Sequence, residues 1–403
     1  MTARARQKAI FLCHRIPYPP DKGDKIRSWN LLRHLAGRYE VSLGCLIDDP
    51  ADMQYRAVLD DLCAETFYLP LNRSRMIRRS LTALAKGRAV SFGIYRDRAM
   101  REWVERQRRT GPAVEIAFSS QMAPYLEHAT APAIIDLCDA DSAKFAAYAE
   151  NGNGLRRAFF RREARLVQAE ERAMARWAAA LFLVSPEEAD LVRPQDGGKA
   201  DKVDWFRNGV DTEYWAPEKA QDIPAEAFDI IFTGAMDYRP NIEAAVWFVK
   251  AVWPQLRRVH PHLTFGIVGA RPTDVVLALA QTDGVTVTGR VPDIRPYLTA
   301  SKIAVAPLGI ARGVQNKVLE AMAMGKPVVA SPGAVTGTGA APGTHLVCAD
   351  GAEETFTAID ALLASPSEAA RLGEAAQTLI RTSYRWSDTL ARFDAALPRS
   401  PTD

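Results

Sequence analysis

The sequence predicts an α/β protein made of two doubly wound, Rossmann-like parallel-sheet domains. Three observations carry that prediction. The chain has 403 residues, room for two domains at roughly 100–200 residues each. Apolar residues make up 48% and charged residues 25%, the balance of an ordinary globular protein. Short apolar, often β-branched runs alternate with longer helical patterns from end to end, which indicates βαβ units.

Taken in order, Ala9–Cys13 reads as a buried strand, followed by a proline- and glycine-bearing loop and a helix over Lys25–Ala36. Val41–Ile47, Val114–Ser119 and Ala133–Leu137 are the next apolar runs, and Ala179–Val184 follows an Arg/Glu/Ala-rich helix over Leu155–Trp177. A second series begins with Phe228–Thr233 and continues through Leu263–Val268, Val285–Thr288, Ile303–Ala306 and Pro327–Ala330. Helical patterns lie between these runs at Asn241–Val259, Thr273–Ala280 and Val318–Met324. The joint between the series falls at Arg207-Asn208-Gly209, where Asn-Gly marks a turn. The expected domains are therefore 1–207 and 208–403. The charge balance also changes there: 34 Lys+Arg against 27 Asp+Glu up to Arg207, and 17 against 21 beyond it. In open parallel sheets ligands bind beyond the carboxyl ends of the strands, so two facing sheets would form a cleft lined by the residues after each strand.

Composition also excludes. Five scattered cysteines without CxxC spacing argue against a disulfide scaffold or zinc ribbon and suit a reducing cytosol. The apolar run near the N-terminus is too short for a signal peptide, and no uncharged apolar run of membrane-spanning length occurs, so a cytoplasmic protein is expected. No GxGxxG follows the first strand, which disfavours a dehydrogenase.

The segment ARGVQNKVLEAMAMGKPVVAS, residues 311–331, is the richest in chemistry. A glycine loop after a strand opens a helix whose free N–H groups and dipole suit a phosphate. Lys317 in the first turn opposes the dipole, which aims it at an anion, and Glu320 lies on the same face, able to accept from ribose hydroxyls. A surface Lys317–Glu320 ion pair is the competing reading. After the first strand, His14, Gly23, Asp24, Lys25 and Arg27 form a second group. Lys25 and Arg27 read either as phosphate-neutralising or as solvated first-turn charges. Ser120-Gln121 follows Val114–Ser119, where Gln121 can donate to a sugar hydroxyl. Asp139 and Asp141 read as acceptor-side hydrogen-bonding groups or as helix caps with Ser142. Residues 72–109 hold 12 basic and 3 acidic residues with apolar residues interspersed, either a membrane-facing surface or a solvated arginine-rich face. Nucleic acid is not expected, because no recognisable module accompanies these charges.

The 311–331 segment resembles the donor-site segment of GT-B glycosyltransferases of the family-4-like group. FRNGVDTEYWAP at 206–217 is similar to their interdomain segment, and FTGAMDYRPN at 232–241 to the glycine loop opening their second domain. Val268-Gly269 and the stretch Val287–Asp293 match the next two strand ends, and CHRIPYPPDKGDKIR at 13–27 resembles exosortase/PEP-CTERM-associated sugar transferases.

The resemblance implies a GT-B fold whose tail, its last ~20 residues, packs back on the first domain. It also implies retaining, metal-independent transfer from a nucleotide-diphosphate sugar, with no cofactor, to a lipid-linked or saccharide acceptor in exopolysaccharide or cell-surface glycan synthesis. Composition and the basic stretch, rather than the resemblance, give the expected place: the cytoplasm, peripherally on the inner face of an anionic membrane. Gly289 and Arg290 would meet the base and Glu320 the ribose. Gly234, Asp237, Arg239, Asn241, Gly269, Gly313, Asn316 and Lys317 would surround the pyrophosphate and sugar. Arg312 stands where the family commonly has a Glu contacting the donor sugar, and Ala235 where it has an Arg. A nucleotide-sugar epimerase and a non-catalytic binding module are the alternatives.

Overall fold

The computed structural model describes residues 6–20, 22–150, 153–194, 200–217, 227–309 and 314–398. The chain forms two compact units. One comprises the residues up to Arg207 together with the tail from Leu390, and the other comprises Asn208–Thr389.

In the first unit seven strands form one parallel sheet. They are β1 (Lys8–Cys13), β2 (Glu40–Ile47), β3 (Glu65–Pro70), β4 (Val114–Phe118), β5 (Ala133–Cys138), β6 (Ala180–Leu183) and β7 (Val203–Trp205). Their order is β3-β2-β1-β4-β5-β6-β7, so the chain reverses direction across the sheet between β1 and β4. The second unit holds β8 (Ile230–Thr233), β9 (Phe265–Val268), β10 (Val285–Gly289), β11 (Ile303–Ala306), β12 (Val328–Ala330) and β13 (Val347–Cys348). They are ordered β10-β9-β8-β11-β12-β13, with the switch between β8 and β11. The central strands β4, β8, β9 and β11 are buried throughout, as expected for sheets covered by helices on both faces. The two-domain α/β class expected from the alternating runs is what the structure shows.

One helix departs from the sequence reading. The helix expected over Asn241–Val259 is three pieces: Arg239–Trp247, a wide π turn at Phe248–Val252, and Trp253–Val259. Pro254 is the cause. It has no N–H, and its ring would clash with a carbonyl one turn earlier, so the turn before it widens. The basic stretch is structured as three helices, Arg73–Ala85, Val90–Tyr95 and Arg98–Arg108.

Candidate functional site

The second unit brings its strand ends to one place. Gly234 directly follows β8 with φ +148°, and its N–H donates to the Val268 carbonyl (3.1 Å). A Cβ there would lie 2.7 Å from Asn241 Nδ2 and 2.9 Å from Lys317 Nζ. Gly269, after β9, is tighter: a Cβ would come within 1.7 Å of the Gly234 carbonyl oxygen. At Gly269 the obstacle to a Cβ is backbone; at Gly234 it is the ends of two side chains, which face bare backbone there.

Those side chains belong to Asn241 and Lys317. Asn241 Nδ2 donates to the Ala235 carbonyl (2.8 Å), and its Oδ1 accepts from Lys317 Nζ (2.5 Å). The ammonium also lies 4.3 Å from the centre of the Phe232 ring. Lys317 stands in the first turn of the helix Asn316–Ala323, whose N-cap Gln315 makes no side-chain capping bond. Burial brings Lys317 down to about 7, with the Glu320 charge opposing the fall. Burial likewise pushes Glu320 up to about 7, opposed by Lys317. Lys317 thus donates to a neutral amide rather than to Glu320, and a solvated surface pair does not describe it. The arrangement is a cation, a helix N-terminus and exposed peptide groups converging on one spot, a combination suited to an anion.

Other expected residues are placed separately. Asn316 Oδ1 accepts from Asn208 Nδ2 (3.2 Å), tying the Asn-Gly turn to the start of that helix. Gly289 has φ +69° with open space around its Cα, and Arg290 beside it is exposed. Arg239 is exposed and paired with Glu243 (2.7 Å), and Asp237 with Arg271 (2.7 Å). Neither joins Lys317. Arg312 and Gly313 lie outside the described residues. Tyr214 escaped the sequence reading. Arg295, held by Asp293, covers its ring at 3.9 Å, and its hydroxyl pKa is raised by burial, then by Asp293 and, more weakly, Glu320. The conspicuous Trp215 and Pro217 beside it were the available signal.

At the switch point of the first unit a second polar group assembles. Asp24 takes contacts from His14 Nε2 (3.2 Å), Arg15 Nη1 (2.7 Å) and the Lys25 N–H (3.0 Å). Burial would raise its pKa, but His14, Arg15 and that N–H hold the carboxyl well below the usual carboxylate range. Arg15 also reaches Asp48 (2.9 Å). Beyond β4, Ser119 adopts φ +73°, and Ser120 Oγ and Gln121 Nε2 donate to Asp141 Oδ2 (2.7 and 2.9 Å). Asp139 is exposed beside this group, near the charges of Glu188 and Asp141. Ser142 does not cap its own helix: its N–H and hydroxyl donate to Glu171 (3.1 and 2.5 Å).

Two expectations are corrected here. Arg27 is fully buried; it grips Asp136 with two bonds (2.7 and 3.0 Å), donates to the Phe206 carbonyl (2.8 Å) and stacks 3.6 Å over the Phe206 ring. Lys25 is buried against Asp52 (2.6 Å). Both point into the unit from the helix Gly23–Arg38 and hold the fold, so neither is a phosphate ligand or a solvated charge. Arg15, Asp48 and Glu188 were missed; Arg15 and Asp48 lie just past β1 and β2, the one position that marked them.

Residues 227–365 match the family model of glycosyl transferases group 1. That span of the group 1 glycosyltransferase pattern contains Gly234, Asn241, Gly269, Gly289, Lys317 and Glu320. No curated protein sequence matches the chain. Among solved structures, sucrose-phosphate synthase from Thermosynechococcus elongatus superposes with a TM-score of 0.70 at 19% identity, over 97% of this chain and 98% of that one. HepE from Anabaena, in complex with UDP and glucose, gives 0.67 at 15% identity over 97% and 99%. WaaG, a glycosyltransferase involved in lipopolysaccharide biosynthesis, gives 0.64 at 13% over 96% and 98%. At these identities the likeness establishes a shared fold: the GT-B pair of Rossmann-like domains, across nearly the whole chain.

Proposed function

We propose that this protein is a retaining, metal-independent glycosyltransferase that moves a sugar from a nucleotide-diphosphate sugar to a lipid-linked or saccharide acceptor in cell-surface glycan or exopolysaccharide synthesis. The single observation that carries this reading is the Lys317 ammonium, presented with Asn241 to the bare Cα of Gly234 at the mouth of a helix. As the glycosidic bond to the diphosphate breaks, negative charge grows on the leaving oxygens. A fixed cation and helix N–H groups stabilise that charge without a metal. Glu320, one turn along, accepts from the ribose, and Gly289 and Arg290 meet the base. On the first unit, Gln121, Asp139, Asp141 and the His14–Asp24 pair serve the acceptor. HepE, whose structure contains UDP and glucose, makes UDP the first nucleotide to try.

The test is a thermal-shift measurement with UDP, GDP and ADP, with and without EDTA. At 100 times the dissociation constant one nucleotide should stabilise the protein by about 2.7 kcal/mol, unaffected by EDTA. Lys317→Ala and Glu320→Ala should lose most of that shift and of sugar transfer while the unliganded melting changes little. Absence of a shift with all three nucleotides would overturn the reading.

A further inference from the structure

The first unit carries an apolar surface that its own packing does not explain. In the helix Arg73–Ala85, Ala83 is buried, packed so closely on Val90–Tyr95 that a Cβ on Gly93 would lie 2.7 Å from Ala83 Cβ. The largest apolar side chains face away: Ile77 is 55% exposed and Leu81 61%, with Leu84 exposed beside them. Spacings of four and three residues put these three on one stripe of the helix. Arg73 and Arg78 flank the stripe, both exposed and paired with no carboxylate among the described residues.

A second protrusion adjoins it. The helix Asp141–Glu150 leaves the end of β5 and Gly154–Trp177 returns, and the two are tied at the sheet by Ser142 and Glu171. Seventeen residues of the returning helix precede Glu171, so at 1.5 Å each the tip stands about 25 Å beyond that tie. The tip is apolar and basic: Leu155 is 91% exposed, Phe159 and Tyr148 are exposed, and Arg157, Arg161 and Arg165 are exposed without a carboxylate partner among the described residues. Glu150 is the exposed acidic side chain there; Glu163 is buried. The two elements are joined: Arg162 donates to the Arg88 carbonyl (2.9 Å), and Glu163 accepts from the Val90 and Ser91 N–H groups (2.9 and 3.3 Å).

We infer that this surface docks onto an anionic lipid bilayer, with Leu155, Phe159, Ile77 and Leu81 entering the acyl boundary and the arginines meeting headgroup phosphates. Arginines alone would serve a nucleic acid equally well. Aliphatic side chains that project outward among them gain by entering lipid and gain nothing from a phosphate backbone. No helix among the described residues is long and apolar enough to cross a membrane, so the contact is interfacial. The inference rests on the lipid-linked acceptor of the reading above and adds its place. The docking hairpin grows directly out of Asp139 and Asp141, so the bilayer contact and the polar groups assigned to the acceptor lie at opposite ends of one hairpin, about 25 Å apart.

The test is co-sedimentation of the full chain with vesicles of equal parts phosphatidylglycerol and phosphatidylcholine, against phosphatidylcholine alone. The wild type should pellet with the anionic vesicles and weaken with salt. The double variants Leu155→Glu/Phe159→Glu and Ile77→Glu/Leu81→Glu should each bind at least about tenfold more weakly. Arg157→Gln and Arg161→Gln should cost roughly fivefold apiece. Melting temperature and nucleotide-induced stabilisation should stay at wild-type values, so a failure of the donor site is read separately. Wild-type protein left in the supernatant, variants that pellet like the wild type, or retention of an RNA duplex in place of vesicles would each overturn the inference.

Discussion

Lys317 is a cation kept in a place that does not favour one. Its pKa falls from 10.5 to about 7 because burial strips water from the ammonium. A diphosphate that needs the charged ammonium therefore binds with uptake of a proton as the pH rises above 7. Affinity for pyrophosphate, which has no ribose and so does not engage Glu320, should fall as pH rises above 7 by up to about tenfold per unit, measured relative to Lys317→Arg at each pH. The reference variant keeps its charge and cancels the titration of pyrophosphate itself. Calorimetry in buffers of different ionisation enthalpy would check it, and a constant ratio across pH would refute it. The type and position of this lysine were legible in the sequence, from a helix start after a glycine loop. Arg27 was not. Its partner Asp136 is 109 residues away, and nothing local distinguishes an arginine that faces a ligand from one that anchors a helix to a strand.

At the scale of elements, the site depends on two strands that end in glycines whose backbones touch. Gly269→Ala would force a Cβ against the Gly234 carbonyl at 1.7 Å and would also hold alanine at φ +159°. The variant should lose about 2–4 kcal/mol of stability and, because Gly234 must move, its nucleotide-induced shift as well. Gly289→Ala has open space around it and offers the contrast: only the φ of +69° is unfavourable, for about 1 kcal/mol. Paired denaturant melts of the two variants would check the difference. The buried strands were readable because they are uninterrupted apolar runs. β3 was missed because it is half-buried and mixed, ETFYLP, and β7 and β13 because three and two residues carry no periodicity. Such strands are defined by the neighbour they pair with, which a local pattern does not contain.

For the whole molecule, the alternation of runs and the sign change in charge at Arg207 outlined two parallel-sheet domains before any coordinates were considered. The return of the tail rests on different evidence. Phe393, fully buried in the helix Ala391–Ala396, lies 5.5 Å from the Phe182 ring and 5.8 Å from that of Phe206. Asp394 meets His34 (2.6 Å) and Arg38 (3.1 Å), and Arg392 meets Asp204 (2.7 Å). Phe393→Ala should therefore cost about 3–5 kcal/mol in the first unit alone. In scanning calorimetry one transition should drop, while the transition that responds to nucleotide stays in place; equal movement of both would contradict the division into units.

That same tail sets an order of events during synthesis. Arg207 emerges from the ribosome 182 residues ahead of Thr389, and at about 5–20 residues per second the interval is roughly 10–40 s. Throughout it the first unit has its seven strands but not the aromatic side chain that closes Phe182 and Phe206. The second unit, whose segments are all made within that interval, is complete before the first is. For that time the nascent first unit leaves Phe182 and Phe206 without the ring that covers them.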